Sequence, residues 1–496
     1  MPDAKLDTPS ADYCAMQPYW DMVSDLMGGA AAVRAAGEKY LPRFAKEDRE
    51  SYEYRRKTAK YVGIYRDIVE NLAAKPFSRK VSVVVEENDR AGADLRAIAE
   101  DIDGRGNNLH VFSQSLFFHG INDAIGWVLV DFPIVPEGLT VKDLKALNAR
   151  PYWVHIPARR MLAVRSEMIG SKEQFVHARI VEDAVVQEGY GEKVVRRIRV
   201  LNRERLPEGN YAPATWELFE ERGERSGAEW VSVGAGKIGI GVIALAPFIT
   251  GRRKEGSWQF VPPMQDAAYL QVEHYQAESA LKAIKDQACF PMLSGSGVSP
   301  ALGSDGSPAP IVVGPRSVLF APMNGDGKSG SWSFIEPQGQ SLKFLAEDIT
   351  RIEEQLRELG RQPLTAQTGN LTVVTTAFAA SKANSVISAW ALNLKDALEQ
   401  ALMFTAWWLG EKSEPAADIE TEFDVFLADE KGPETLLKLR ERNDISQETL
   451  WRELKRRGAL SPDFDAAKEL ERILKEIPGG DDELNAVVPF RRSNAS

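Results

Sequence analysis

Two amphipathic segments that enclose a long insert constrain the fold of this chain more than any other feature. The segments, residues 263–288 and 339–360, carry apolar residues at intervals of three and four, a pattern that predicts helices. Pro262-Pro263 favours a helix start at the first of them. The insert, residues 289–338, is rich in Gly, Ser and Pro. The pattern therefore predicts a pair of helices around a compact insert, with apolar faces that need further partners for burial.

A polar loop and a very long helix are predicted next. Residues 361–374 begin with Arg361, which is the single charged residue between 361 and 370. The segment 375–409 is apolar or small at helical spacing, and three charged helical segments follow at 433–442, 446–457 and 464–476. These spans predict that the last quarter of the chain is mainly helical.

The first half of the chain changes its hydrophobic period near residue 151. Helices are predicted at 12–27, 47–75, 93–102 and 107–120, and a buried strand at 127–132. Beyond Pro151 the period becomes two, which predicts a mixed or antiparallel sheet. Its predicted strands are 152–156, 175–180, 194–200, 215–219 and 238–243. We therefore predict an α+β fold.

Composition narrows the classes of function. The net charge is −11, from 72 acidic and 61 basic residues, which disfavours a protein that grips nucleic acid over a broad basic face. An acidic lining would still let DNA slide past, because it repels phosphate in every register. Only Cys14 and Cys289 occur, which is too few for a disulfide framework or a structural zinc site. No apolar run or leader pattern predicts a membrane span or a secretion signal.

Motifs for catalysis are weak. The run 325–329, Gly-Asp-Gly-Lys-Ser, lacks the earlier glycine of a phosphate-binding loop, because position 322 is Pro. The run 294–297, Ser-Gly-Ser-Gly, lacks the strand–turn–helix frame of a nucleophile elbow. Five histidines form no metal-binding pair, and Asp101 and Asp103 are interpreted as loop residues. We therefore predict no catalytic residues, no metal site, no cofactor and no enzymatic activity.

The order of segments resembles phage portal proteins, the ring-forming subunits of head-to-tail connectors. The resemblance extends over about residues 15–475 and depends on the ordered combination of motifs. Besides the helix pair, the similar motifs are Tyr19-Trp20, the run 33–42 (Val-Arg-Ala-Ala-Gly-Glu-Lys-Tyr-Leu-Pro), the Tyr-rich run 52–56, the Val-rich strand after Pro76-Phe77, the run 334–337 (Phe-Ile-Glu-Pro), and the helix containing Ser381 and Asn384.

The resemblance implies a ring, usually of twelve subunits, and a portal-type fold. That fold has an α/β wing, a two-helix stem, a small clip, a long helix behind a tunnel loop, and a helical crown. The implied regions are the wing at 1–262, the stem helices at 263–288 and 339–360, the clip at 289–338, the tunnel loop at 361–374, the long helix and wing return at 375–432, the crown at 433–477 and a tail at 478–496.

The resemblance also implies partners and contact residues. The ring would sit at one capsid vertex in the virion, after assembly in the host cytoplasm. It would contact double-stranded DNA without sequence specificity, the terminase large subunit, the major capsid and scaffolding proteins, and the tail adaptor, but no membrane. The implied DNA-facing residues are Arg361, Gln362, Thr365, Gln367, Thr368, Asn370 and Lys382. The implied clip residues facing terminase or adaptor are Ser294, Ser296, Asp305, Arg316, Asn324 and Lys328.

Two alternatives remain open at this point. The chain could be another head-to-tail structural protein, such as an adaptor or a minor capsid protein. It could also be a metal-dependent hydrolase or nuclease that brings together carboxylates from distant segments.

Overall fold

A computed structural model shows a chain that divides into two compact units. The first contains Met1–Asn370 and Ser385–Thr421, and the second contains Leu371–Asn384 and Glu422–Ser496. The structure describes residues 5–85, 92–136, 146–223, 229–288, 292–298, 330–335, 340–359, 373–421, 432–442, 444–456 and 466–476, with the single residues 143, 423, 460 and 464.

Twelve α-helices occur in the described part of the chain. Several begin at a side chain that caps the free N–H groups of the first turn: Ser10 Oγ accepts from Tyr13 N at 3.2 Å, and Asn108 Oδ1 accepts from Val111 N at 3.0 Å. The helices are α1 (Ala11–Met27), α2 (Gly29–Ala35), α3 (Arg49–Thr58), α4 (Ile64–Ala74), α5 (Gly92–Ala99), α6 (Leu109–Asp123), α7 (Gln265–Ala288), α8 (Gln340–Leu359), α9 (Val373–Trp408), α10 (Gly432–Glu441), α11 (Gln447–Arg456) and α12 (Ala466–Glu476).

The strands pair only in antiparallel fashion among the described residues. They are β1 (Ser82–Val84), β2 (Ile125–Asp131), β3 (Tyr152–Pro157), β4 (Met161–Ile169), β5 (Lys172–Val181), β6 (Ala184–Glu188), β7 (Gly191–Val195), β8 (Arg197–Asn202), β9 (Thr215–Arg222), β10 (Glu229–Lys237), β11 (Leu245–Ile249), β12 (Arg252–Arg253), β13 (Phe260–Val261), β14 (Met292–Ser296), β15 (Ser331–Ile335) and β16 (Ala416–Asp418).

These strands form one five-stranded sheet in the order β10-β9-β8-β5-β4 and one three-stranded sheet in the order β11-β2-β3. Four two-stranded pairs complete the set: β1 with β16, β6 with β7, β12 with β13, and β14 with β15. Helices make up 46% of the structure and strands 25%, so the chain is a mixed helix-and-sheet protein, as the α+β prediction states.

The three-stranded sheet lies at the centre of the first unit. Helix α6 packs on it, and the ring of Phe117 stacks on that of Phe248 with centroids 5.5 Å apart. The C-terminal half of α9 contributes a hydrogen bond to the same sheet, because Trp153 Nε1 donates to Thr405 Oγ1 at 2.8 Å. Burial of these large aromatic groups supplies most of the local stabilisation.

The predicted single helix over 47–75 is wrong. The structure has α3 and α4 with a break between them, at which Ala59 is extended (φ −54°, ψ 130°). Distant side chains bond the backbone groups that the break releases. Arg34 Nη2 donates to Ala59 O at 2.7 Å, and Gln271 Nε2 donates to Val62 O at 2.9 Å. The break is therefore stabilised by contacts with residues distant in the sequence, which the hydrophobic pattern of residues 47–75 cannot reveal.

The strand predicted at 238–243 is also wrong, because those residues form a turn. Gly241 adopts φ +74°, a conformation that side chains disfavour. At Gly239 an added Cβ would lie 2.9 Å from the Trp408 ring, so the close approach requires glycine. The segment predicted at 194–200 is divided between β7 and β8. The other predicted strands of the first half and the helix spans from 263 onward agree with the structure to within a few residues.

The second unit is helical where it is described. Helices α10 and α11 pack together and bury Leu436 and Leu450. The rings of Trp451 and Phe464 meet edge to face with centroids 5.6 Å apart. The partly apolar run 422–426 predicts a strand from its sequence, but it lies outside the described residues apart from Phe423. The Phe423 carbonyl accepts a hydrogen bond from Asn384 Nδ2.

Candidate functional site

Helices α7 and α8 pack against each other, as the sequence predicts for the segments on either side of the insert. Tyr275 and Leu281 of α7 are buried, and so are Ile352 and Leu356 of α8. On α8 the buried residues Ile349, Ile352 and Leu356 recur at intervals of three and four, so its packed face is the apolar stripe visible in the sequence. The stripe therefore accounts for the pairing of the two helices.

The described ends of the insert are joined by a short antiparallel ladder. Strand β14 follows α7 and strand β15 precedes α8, and Ser294 pairs with Ser333 while Ser296 pairs with Ser331. Gly295 lies opposite Trp332, where an added Cβ would come within 2.8 Å of the indole ring. The ladder therefore holds the two described ends of the insert side by side, as a compact insert requires.

The N-terminal part of the first unit holds α7 through polar contacts. Gln271, which is fully buried, donates to Val62 O and accepts from Tyr65 N at 2.8 Å. Gln276 Nε2 donates to Tyr40 O at 2.9 Å. Helix α7 is therefore fixed both to α8 and to the N-terminal part of the first unit.

Most of the residues predicted to contact DNA, terminase or the adaptor lie outside the described residues. The structure therefore does not test whether they lie close together. This applies to Arg361, Gln362, Thr365, Gln367, Thr368 and Asn370 of the loop, and to Asp305, Arg316, Asn324 and Lys328 of the insert. Lys382 lies within α9, although its side chain is not described. Ser294 is half-buried and Ser296 exposed, both on β14.

Large apolar side chains remain exposed on the helix pair. Tyr269 on α7 is 57% exposed, and Phe344 on α8 is 69% exposed. A single exposed aromatic residue is common on soluble proteins, but here each lies on one of two helices that already bury a separate apolar stripe. Each helix thus has apolar surface beyond what the other one covers.

Both helices carry an excess of negative charge. Helix α8 contains five acidic and three basic residues, and α7 contains four acidic and two basic residues. Some of these charges are paired along the helix: Lys343 Nζ lies 3.8 Å from Glu347 Oε1, and Arg351 contacts Asp348. Exposed ion pairs of this kind contribute little stability. The net negative charge of the two helices therefore says more about what they can bind than the individual pairs do.

One cluster on the helix pair was missed by the sequence reading. His274 and Glu278 lie four residues apart on α7, and Glu353 joins them from α8. His274 Nε2 lies 3.2 Å from Glu353 Oε1, and one ligand atom from each of the three side chains lies within 4.8 Å of the others. The spacing of four residues was visible in the sequence, but the third member comes from a helix beyond the insert.

The interpretation of Asp101 and Asp103 as loop residues agrees with their contacts. Asp101 Oδ1 accepts from Gly106 N at 2.7 Å, and Asp101 Oδ2 pairs with Arg150 at 2.8 Å. Asp103 accepts from Arg105 N at 2.9 Å and from Asn107 Nδ2 at 2.8 Å. Both carboxylates therefore order the turn before α6.

The strand patterns around His155 and His177 favour packing or cross-strand roles for these residues, and both lie on strands in the structure. His177 Nδ1 lies 3.3 Å from Asn202 Oδ1 across the β5–β8 pair. His155 is half-buried and packs against Phe112 and His119, and burial lowers its pKa to about 3. An imidazole with that pKa is neutral at physiological pH and is poorly suited to act as a proton donor.

A cleft of about 430 Å³ beside β2 is lined by the charged residues Asp131, Arg199 and Lys237. Arg199 contacts Asp131 there, and its Nε lies 2.8 Å from Glu182 Oε1. Tyr152 donates to Asp131 Oδ2 at 3.2 Å, and burial raises the pKa of this tyrosine to about 12. Arg199 pairs with both carboxylates, so the arrangement resembles a structural ion-pair network more than an acid–base site.

None of the helices in the described part of the chain combines the length and hydropathy of a membrane span.

The chain is similar to one known family over part of its length and to a group of solved structures. Residues 263–409 match a family described as a domain of unknown function (DUF4055). No curated protein matches the chain.

Similar solved structures come from gene transfer agent (GTA) particles. A chain from the neck of an empty particle, computed with C6 symmetry, is 13% identical, with a TM-score of 0.41 and coverage of 82% of this chain and 94% of that one. A chain from the neck of the native particle, computed with C12 symmetry, is 13% identical, with a TM-score of 0.39 and coverage of 84% and 96%. A chain from the native virion is 11% identical, with a TM-score of 0.37 and coverage of 88% and 97%. TM-scores below 0.5 do not establish a shared fold.

Proposed function

We propose that this chain is the portal subunit of a phage-like particle. Copies of it would form a ring at one capsid vertex, through which double-stranded DNA is packaged by terminase and later ejected. The observation that carries the proposal is the order α7, insert, α8, loop, α9, with the insert closed at its base by β14 and β15. This order is what the resemblance to portal proteins implies for stem, clip, tunnel loop and long helix.

The extent of the family match supports treating these elements as one module. The match begins at residue 263 and ends at residue 409. It therefore includes both helices of the pair, the insert between them, the loop and all of α9 (Val373–Trp408). The boundaries coincide with the elements that the proposal assigns to the conduit and its support.

The exposed apolar side chains support assembly into a ring. Tyr269 and Phe344 expose more than half of their surface in the single chain. A cyclic arrangement of subunits brings one surface of each helix pair against a different surface of the next, so it can cover such groups without a second protein.

The charge of the helix pair suits a conduit for DNA. Each helix has two more acidic than basic residues. Phosphate binding by a channel wall strengthens with every lysine or arginine that replaces counterions. A wall with net negative charge binds phosphate weakly, so DNA would not be held in one register. We assign direct contacts with DNA to the loop 361–374 and Lys382. We assign the contacts with terminase and the tail adaptor to the insert.

The same proposal makes the protein a structural component without catalytic activity, located in the virion after assembly in the host cytoplasm. Its other partners would be further copies of itself, the major capsid and scaffolding proteins, and the adaptor.

The first experiment measures the assembly state of the purified full chain. We expect particles with a central hole in negative-stain electron micrographs, and a mass by light scattering near that of twelve 55.0 kDa chains, about 660 kDa. A chain that stays monomeric at all concentrations would contradict the proposal.

A second experiment separates a portal from an adaptor or a minor capsid protein. Deletion of residues 361–374 should leave the ring intact, because the loop is not among the elements that form the helix pair. Particles with this deletion should package or retain much less DNA than particles with the full chain. Normal DNA content in intact particles would overturn the assignment of the tunnel loop.

A further inference from the structure

We propose that His274, Glu278 and Glu353 form a binding site for a divalent first-row transition metal, such as Zn²⁺ or Mn²⁺, that joins α7 to α8. One imidazole and two carboxylates are a donor set that these ions accept in proteins. The helical spacing of His274 and Glu278 places both side chains on one face of α7. Glu353 then completes the set from the facing helix, so the ion would cross-link the two helices.

The burial of the donors distinguishes this cluster from ordinary surface charges. The side chain of His274 is 0% exposed and that of Glu278 is 9% exposed. Glu353 is 37% exposed, so one side of the cluster is open to solvent. A buried carboxylate needs compensating positive charge, and an open edge gives an ion a route of entry.

The imidazole of His274 has an unsatisfied ring nitrogen. Its Nδ1 is buried without a hydrogen-bond partner among the described residues, while Nε2 lies 3.2 Å from Glu353 Oε1. If the proton is on Nδ1, the lone pair of Nε2 points at a carboxylate oxygen and the two repel. A cation bound between Nε2 and Glu353 would accept both lone pairs and remove this repulsion.

Lys60 provides the charge that the ion would replace. Its Nζ lies 2.5 Å from Glu278 Oε1, and its side chain is 56% exposed. A lysine with this much freedom can move into solvent when a metal ion binds. Lys60 is therefore a competitor for the site, and its removal should strengthen metal binding.

The nitrogen donor selects the class of ion. Ca²⁺ and Mg²⁺ prefer sites made of oxygen ligands alone, whereas imidazole suits zinc and the neighbouring transition metals. We therefore expect Zn²⁺ and Mn²⁺ to bind, and Ca²⁺ and Mg²⁺ at the same concentration not to compete.

The test uses the full chain after removal of metal by chelation, with ZnCl₂ and MnCl₂ as the probes. Calorimetric titration should show one high-affinity Zn²⁺ per chain, and the electron paramagnetic resonance signal of Mn²⁺ should change on binding. Glu353→Gln should weaken binding more than tenfold. The matched control is Glu354→Gln, which changes an exposed carboxyl on the same helix outside the cluster and should leave the affinity unchanged.

A third variant, Lys60→Met, should bind Zn²⁺ more tightly than the unaltered chain, because it frees Glu278 from its ion pair with Lys60. If Glu278 had only a structural role, this variant would not change the affinity for Zn²⁺. Circular dichroism checks that each variant is folded. Equal affinities for Glu353→Gln and Glu354→Gln, or weak binding of several ions per chain, would mean adventitious surface binding and would overturn the proposal.

Discussion

Asp123 illustrates how burial of one group makes stability depend on pH. It ends α6, its residue is 5% exposed, and Oδ1 accepts one hydrogen bond, from Asn122 Nδ2 at 2.7 Å. A neutral amide compensates a buried charge poorly, so burial raises the pKa of the Asp123 carboxyl to about 7. The surrounding tyrosine hydroxyls are engaged elsewhere: Tyr65 donates to Asn122 Oδ1, and Tyr19 donates to the Asn122 carbonyl.

The sign of the resulting pH dependence follows from linkage. The folded carboxyl, with its raised pKa, binds a proton more tightly than the unfolded one, whose pKa is 3.8. Its contribution is therefore fully present below pH 3.8 and is lost as pH rises to about 7. About three pKa units correspond to a loss of about 4 kcal/mol.

We expect Asp123→Asn to remove this dependence, because the amide has the shape of the carboxyl and never ionises. The variant should exceed the unaltered chain in free energy of unfolding at pH 8, and the difference should shrink toward pH 4. Urea unfolding from pH 4 to pH 8 measures it. Glu192→Gln, at an exposed position on β7, is the control and should show no such trend. A constant difference at every pH would contradict the raised pKa.

The break between α3 and α4 shows at the scale of elements where tertiary contacts override local pattern. Tyrosines and aliphatic residues continue at helical spacing across 59–63, yet the backbone there is not helical. Gln271 takes the place of helical hydrogen bonds, with its amide nitrogen on Val62 O and its amide oxygen on Tyr65 N. One buried side chain thus makes possible a change of direction that separates two helices.

Gln271→Leu should therefore destabilise the first unit. The leucine fills a similar volume but leaves the buried Tyr65 N–H without a partner, a cost of about 1–3 kcal/mol, while Val62 O keeps its hydrogen bond from Ile64 N. Denaturant unfolding measures this loss, and hydrogen exchange should accelerate at the Tyr65 amide in particular. Gln355→Leu, at an exposed position on α8, should change neither quantity by a comparable amount. If both variants behave alike, the hydrogen bonds of Gln271 do not stabilise the break.

The sequence predicts best those elements whose hydrophobic pattern depends only on residues within the element itself. Helices α7, α8 and α9 agree with their predicted spans because each has an apolar stripe that packs on one side, and β2 agrees because a fully buried strand is apolar throughout. The breaks at 59–63 and 238–243 depend on Gln271 and Trp408, which lie far away in sequence. Of the three residues in the cluster, only His274 and Glu278 could be recognised as neighbours from the sequence, because Glu353 lies on a different helix.

At the scale of the whole molecule, the single chain has surface that a ring would use. Phe344 is the more exposed of the two exposed aromatic residues on the helix pair, and it lies near the N-terminal end of α8. Its exposed ring is therefore a candidate for a contact between subunits of the proposed ring.

We expect Phe344→Glu to prevent ring assembly while the chain remains folded. The side chain is 69% exposed in the single chain, so its replacement costs little folding stability, whereas a charge buried against a neighbouring subunit would be unpaired. Light scattering should then report monomers in place of rings, with an unchanged circular dichroism spectrum. Tyr190→Glu, which alters a fully exposed aromatic residue in the turn between β6 and β7, is the control and should still form rings. Rings of normal size from Phe344→Glu would show that the contact between subunits lies elsewhere on the chain, and would require the apolar surface of the helix pair to be assigned to a different partner.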